Sequence, residues 1–321
     1  MATVQTVRGP VEAAALGRVL MHEHVFVLGT EIRQNYPDAW GEEESRVSDA
    51  VARLRALKER GIDTIVDPTV IGLGRYLPRI QRINEQVDIN IVPATGIYTY
   101  NDAPLQFHFT GPGRLFDMPE PMVEMFTHDL EKGIADTGVR AAFLKCAIDA
   151  PGLTPGVERV MRAVAKTHVR TGAPVTVHTH AHGDIPRIAQ DVLAEEGVDL
   201  TKVVLGHVGD SADIDMLRRL ADRGSLLGMD RFGLDVLLPF EQRVGTVARM
   251  CALGYADRLV LSQDASCFMD WFPEDALAAA APNWHYNHIT DDVLPALRER
   301  GVTEEQITTM LVDNPRHYFG G

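Results

Sequence analysis

The sequence predicts an α/β protein, a single (β/α)8 TIM barrel spanning residues 1–321 with its site at the carboxyl ends of the strands. Three observations carry this. Eight short runs rich in strand-forming residues alternate with longer stretches whose apolar residues recur at helical spacing. Glycines stand where left-handed helix caps are expected. Polar residues that can bind metals follow several of the runs, which is where barrel enzymes build their sites.

In chain order the runs cover residues 19–24, 64–69, 89–97, 141–147, 174–180, 202–207, 225–230 and 259–264. Between the first two, residues 47–60 put Val47, Val51, Leu54 and Leu57 on one face of a helix. Gly61, Gly172, Gly197, Gly224 and Gly254 close helical stretches. An open doubly wound sheet would want a glycine-rich phosphate turn after its first strand. That turn instead reads His22-Glu23-His24-Val25-Phe26-Val27, which places a nucleotide-binding fold behind the barrel. Two long loops, residues 98–121 and 267–290, follow the third and eighth runs; loops of that length in compact domains tend to carry function.

The chain is 45% hydrophobic, enough for a sizeable core, and its formal net charge of −14 opposes binding to nucleic acid or anionic membrane. Three separate cysteines, Cys146, Cys251 and Cys267, form no CxxC pair and fit a reducing compartment. No stretch has signal-peptide or membrane-span character, so a cytoplasmic protein is expected.

His22 and His24 stand two apart, which puts both imidazoles on one strand face within reach of one cation. On its own this pair reads first as hydrogen-bonded polar groups at a strand end. Lys145, His178, His207 and Asp264 each follow a strand-forming run. Lys145, His178 and His207 are spaced by about one βα unit, roughly thirty residues. Ligands so spaced converge on one rim of a barrel. A buried lysine among histidines has two readings. It can pair with a carboxylate such as Asp264, or it can be carbamylated by carbon dioxide into an anionic bridge between two cations. Nitrogen and oxygen ligands suit zinc, with cobalt, manganese or iron as alternatives.

The set His22-x-His24, Lys145, His178, His207, Asp264 resembles the amidohydrolase superfamily and specifically its phosphotriesterase family. Leu-Met-His-Glu-His-Val at 20–25, Ala-Thr-Gly-Ile-Tyr at 94–98, Gly-Met-Asp-Arg-Phe-Gly at 228–233 and Asp-Asn-Pro at 313–315 look like phosphotriesterase-like lactonases. The resemblance runs from about Thr6 to the final helix and is closest to actinobacterial N-acyl-homoserine lactonases. It implies one cation on His22, His24 and Asp264 and a second on His178 and His207, with N6-carboxylated Lys145 between them. It also implies that Asp264 relays the proton of the attacking water, and that Tyr98 and Arg231 orient the lactone. A homodimer is a further implication.

Other side chains keep open roles. His180 and His182 can support His178, and Asp67 and Asp230 can accept hydrogen bonds from ligands. Glu23 is expected to face away from the paired histidines. Phe268 and Trp271, with Met269, Phe272 and Trp284, either line a groove for an acyl chain or pack on themselves. The expected activity is hydrolysis of a small-molecule lactone, with quorum quenching as its setting and weaker phosphotriesterase activity beside it. The alternatives are a dedicated organophosphate triesterase or carboxylesterase and, behind both, a non-enzymatic barrel stabilised by metal.

Overall fold

A computed structural model describes residues 2–320. The amino-terminal strands β1 (Thr3–Thr6) and β2 (Gly9–Glu12) form an antiparallel hairpin. The strands that follow are β3 (Val19–Leu20), β4 (His24–Val27), β5 (Thr64–Asp67), β6 (Asn90–Gly96) and β7 (Phe143–Ile148). They continue as β8 (Val175–Thr179), β9 (Val203–Gly206), β10 (Leu226–Met229), β11 (Leu259–Leu261) and β12 (Ser266–Met269). Eight of them form a parallel sheet in the order β11-β10-β9-β8-β7-β6-β5-β3, a nearly closed barrel flanked by helices. Each of the eight runs read from the sequence overlaps one of these strands, β7 running one residue past its run to Ile148.

The first run departs from expectation: it does not continue to His24 as one strand. Pairing in the sheet stops at Leu20 and resumes at His24, where β4 pairs with β12 instead. The last strand breaks in the same way between Leu261 and Ser266. The two breaks face each other and close the barrel through Met21 N–H to Leu261 O (3.3 Å), Asp264 N–H to His22 O (3.0 Å) and His24 N–H to Ala265 O (2.9 Å). Main chain at the seam thus carries His22 and Asp264 on irregular segments rather than on a continuous ladder.

Period two along each strand sorts the core. Leu20, Ile65, Ile91, Leu144, Val175, Leu205 and Leu259 belong to the large cluster shared with the helices. Their neighbours Val19, Val66, Val92, Phe143, Val204 and Val260 belong to a smaller cluster that includes Tyr318 of the final helix. The same alternation carries Phe143 to Lys145 and Thr176 to His178, so polar groups stack directly on the inner apolar layer. The helix Glu43–Glu59 buries Val47, Val51, Leu54 and Leu57. Gly172, at φ +75°, caps the helix Pro155–Thr171 through its N–H to His168 O, 2.7 Å. Asn314 of the Asp-Asn-Pro motif donates to Ala256 O and Leu259 O (2.9 and 2.7 Å), tying the final helix to the start of β11. No helix among the described residues is long and apolar enough to cross a membrane.

Candidate metal centre

His22, His24, Lys145, His178, His207 and Asp264 line one cavity of about 140 Å³ with Tyr98, Arg231, Asp149, Met269 and Trp271. The six are all buried. Two glycines make room for them. A Cβ on Gly96 would strike the Lys145 carbonyl, and one on Gly228 would lie 2.3 Å from Asp230 Oδ2.

Hydrogen bonds fix which nitrogen of each histidine is free. A carboxylate oxygen only accepts, so a ring nitrogen bonded to it must carry the proton. Asp230 accepts from His22 Nδ1 (3.1 Å) and from His207 Nδ1 (3.0 Å), and also from the His207 backbone N–H (2.7 Å). Thr69 Oγ1 donates to Asp67 Oδ1 at 2.5 Å and so accepts from His24 Nδ1 at 2.7 Å. The lone pairs of His22 and His207 therefore sit on Nε2, and His24 offers one on the same atom once its Nε2 proton leaves. His22 Nε2 lies 3.5 Å from Asp264 Oδ1 and 3.3 Å from Lys145 Nζ, and His24 Nε2 lies 3.2 Å from Asp264 Oδ1. His207 Nε2 is buried without a hydrogen-bond partner among the described residues. His178 is wired the other way round, with Nε2 donating to Asp149 Oδ2 at 2.8 Å.

This donor set fits divalent cations. His22, His24 and Asp264 can bring ligand atoms within 4.8 Å of one another, as can His22, His207 and Asp230. Asp230 already receives two ring N–H groups, so its role in the second trio is to aim the imidazoles. An orphaned buried nitrogen on His207 is otherwise a cost of about 1–3 kcal/mol, which a cation would relieve.

The charge balance agrees. Burial lowers the Lys145 amine to about 8, although Asp264 and Asp230 oppose the shift, so a neutral amine is accessible near neutral pH. Burial holds His178 down at about 4 and His207 well below its usual range. His24 goes the other way: burial lowers it, but Asp264 and Asp67 outweigh burial and raise it to about 9. In the metal-free protein a proton on His24 stands where a cation would put positive charge.

Asp264 and His207 both adopt left-handed backbone, at φ +57° and +69°. For residues other than glycine this costs of order 1–3 kcal/mol and persists only where the surroundings impose it. Asp264 is also held from its side chain: Arg231 Nε donates to Oδ2 at 3.0 Å, while Arg231 Nη1 reaches Asp210 Oδ2 at 3.1 Å. Arg243, itself buried, pairs with the other Asp210 oxygen at 2.6 Å.

Tyr98 stands edge-on to His178, ring centroids 5.1 Å apart, and 6.2 Å from Trp271. Phe268 is a correction to the expected groove. It is buried against Trp40 (5.5 Å) with the Arg46 guanidinium 3.8 Å from its ring centroid, and it does not line the cavity. Alternation along β12 sends Phe268 outward to the helices and Met269 inward. Trp284 also lies elsewhere, donating to Gln263 O at 2.7 Å, and Phe272 is half exposed. His180 and His182 meet edge to face (centroids 5.3 Å apart) outside the cavity.

Asp149 and Asp210 went unnamed in the sequence reading, as did the full role of Glu23. Asp149 had a signal, because it lies four residues past Lys145 and so on the same strand face. Asp210 had none, since it sits in the turn after β9.

The profile of the phosphotriesterase family matches residues 2–319. The chain belongs to the phosphotriesterase family. Its relatives include the "Phosphotriesterase homology protein" of Mycobacterium tuberculosis, 60% identical over 99% of this chain and 98% of the relative. The solved structure of the phosphotriesterase from Mycobacterium tuberculosis superposes with a TM-score of 0.97 at 60% identity, covering 99% of this chain and 98% of that one. An "Aryldialkylphosphatase" of Saccharolobus solfataricus is 37% identical over 96% of each chain. A further structure comes from work that engineered organophosphate hydrolysis from a weak promiscuous lactonase template. It has a TM-score of 0.90 at 34% identity, covering 99% of this chain and all of that one. The protein is thus a phosphotriesterase-family hydrolase with His and Asp groups placed to bind metal.

Proposed function

We propose that this hydrolase opens lactones, with N-acyl-homoserine lactones as the substrate class and phosphotriesters as a weaker second class. The observation that carries the reading is the side-by-side arrangement in one cavity. Ligand nitrogens and Asp264 stand against a wall that includes Val27, Leu73, Met269 and Trp271. The polar side suits an ester carbonyl and the apolar side an acyl chain. A structural neighbour from work on a weak promiscuous lactonase template supports the same reading. The aryldialkylphosphatase relative supports the phosphotriester side activity.

In this reading His22, His24 and Asp264 would hold one cation, and His178 and His207 a second, with carbamylated Lys145 between them. Zinc suits the donors, as do cobalt, manganese and iron. Bound there, such cations would polarise the substrate carbonyl and lower the pKa of a water towards neutrality. The protein's own groups handle the proton and the pose. Asp264 takes a proton from the attacking water as the new carbon–oxygen bond forms, then returns it to the ring oxygen as the lactone carbon–oxygen bond breaks. Arg231, bonded to Asp264 Oδ2, holds that carboxylate ionised before the first transfer and in place through both. Tyr98 and Trp271 cover the reacting ring and restrict water.

The test follows acid release from an N-acyl-homoserine lactone before and after chelation, with metal content measured on the same sample. Chelator-sensitive turnover at about two metals per chain supports the proposal. Full metal occupancy without turnover moves the assignment to another ester or to phosphotriesters.

A further inference from the structure

Asp149 does for one part of the site what Asp230 does for another. It is the residue directly after β7, and Lys145, Ala147 and Asp149 share a strand face by period two. The turn that follows pins it: Ala150 N–H donates to Oδ1 at 2.7 Å, and Gly152 N–H donates to the Asp149 carbonyl at 2.8 Å. Its other oxygen, Oδ2, accepts from His178 Nε2 at 2.8 Å and from the Tyr98 hydroxyl at 3.4 Å. The carboxylate is mostly buried, with 20% of its side chain exposed, and it lines the cavity.

Two consequences follow from the direction of these bonds. With its Nε2 proton given to Asp149, neutral His178 has its only lone pair on Nδ1. With its hydroxyl proton given to the same oxygen, Tyr98 turns its lone pairs away from Asp149. His22 and His207 are aimed by Asp230, and His24 by Thr69 and Asp67. Asp149 completes the set, and it alone also reaches a residue beside the substrate space.

We propose that Asp149 is a positioning residue that couples His178 to Tyr98, setting the tautomer of the one and the hydroxyl orientation of the other through a single oxygen. This rests on the two-cation reading above. A carboxylate or carbonyl partner on the far nitrogen of a ligating histidine is worth about 10–100-fold in metal affinity. The effect of losing Asp149 should fall on one cation of the two, because only His178 among the histidine ligands depends on it.

The experiment titrates cobalt(II) into metal-free protein against a chromophoric chelator, for the wild type, Asp149→Ala and Asp149→Asn. Expected is a loss of about 10–100-fold at one of two sites in Asp149→Ala, the other site holding within about twofold, and substantial recovery in Asp149→Asn, whose amide oxygen still accepts. Unchanged affinity at both sites overturns the proposal. So does equal weakening of both sites that asparagine does not repair, which is the mark of general structural damage. A wild type that takes fewer than two cations overturns the two-cation reading itself, and this proposal with it. The Tyr98 half is read from a double-mutant cycle of Asp149→Asn with Tyr98→Phe on kcat and KM for a lactone. Non-additive losses support the coupling and additive ones overturn it.

Discussion

Glu23 brackets Asp264. Its Oε1 accepts from the backbone N–H of Gln263 at 2.8 Å and its Oε2 from that of Ala265 at 2.9 Å, so one buried carboxylate grips the chain on both sides of the strained aspartate. Ser262 Oγ and Gln263 Nε2 add bonds at 2.7 and 3.1 Å. Glu23→Ala leaves these donors buried without an acceptor, at about 1–3 kcal/mol each. The expected result is a lowered Tm together with loosened cation binding, with Glu23→Gln intermediate. Undiminished cation affinity in the alanine variant would show that Asp264 keeps its conformation without this grip.

The metal-free protein should lose stability as pH rises from about 6.5 to 8. His24 has its pKa raised in the fold to about 9, so its contribution is complete below its unfolded value of 6.5 and is lost on the way up through 9. Glu23, raised by burial to about 8, has the same sign: its contribution is complete below 4.5 and gone above 8. Lys145, lowered to about 8, acts oppositely but only above that pH. Thermal unfolding of chelated protein at pH 6.5 and 8 tests this. Cation affinity should climb over the same interval, because a metal on the proposed ligand set would displace the His24 proton. A flat Tm across it would contradict the assignment of charge to His24.

Arg231 joins Asp264 to Asp210 through two nitrogens of one planar guanidinium, a geometry that an ammonium cannot copy. Arg231→Lys should therefore resemble Arg231→Ala more than the wild type. Both should lose about 10–100-fold in kcat/KM while retaining their metals. Wild-type efficiency in the lysine variant would mean that charge alone suffices.

Trp271 and Phe268 should separate cleanly. Trp271→Ala opens the apolar wall and is expected to raise KM for long-chain lactones by about tenfold or more relative to short ones. Phe268→Ala is expected to leave chain-length preference alone and to cost about 3–5 kcal/mol of stability by emptying the contact with Trp40 and Arg46. The reverse pattern in a KM series and a melting curve would return Phe268 to the groove.

Most of the barrel was legible because its signals are local. Eight strand runs and the capping glycines are written in periods of two and in single-residue conformational demands. The convergence of His22, His24, Lys145, His178, His207 and Asp264 in one cavity followed from counting βα units. What escaped depends on distance between chain segments. Nothing near Asp210 announces that Arg231 and Arg243 will meet it. Phe268 looked like a groove residue until the break before β12 fixed which face it takes. Glu23 turns from its flanking histidines as period two requires, yet only closure of the barrel reveals what it holds.

The seam between β3–β4 and β11–β12 has a bearing on how the protein comes into being. His22 and His24 leave the ribosome before Asp264, which faces them both and follows some 240 residues later, the separation of the Glu23–Ser262 contact. Until Asp264 is made, the group His22, His24 and Asp264 that could hold a cation is incomplete. Joining such distant segments is the slow, entropically costly part of assembling a parallel barrel. Catalytic competence therefore waits on the closure that brings Asp264 to His22 and His24.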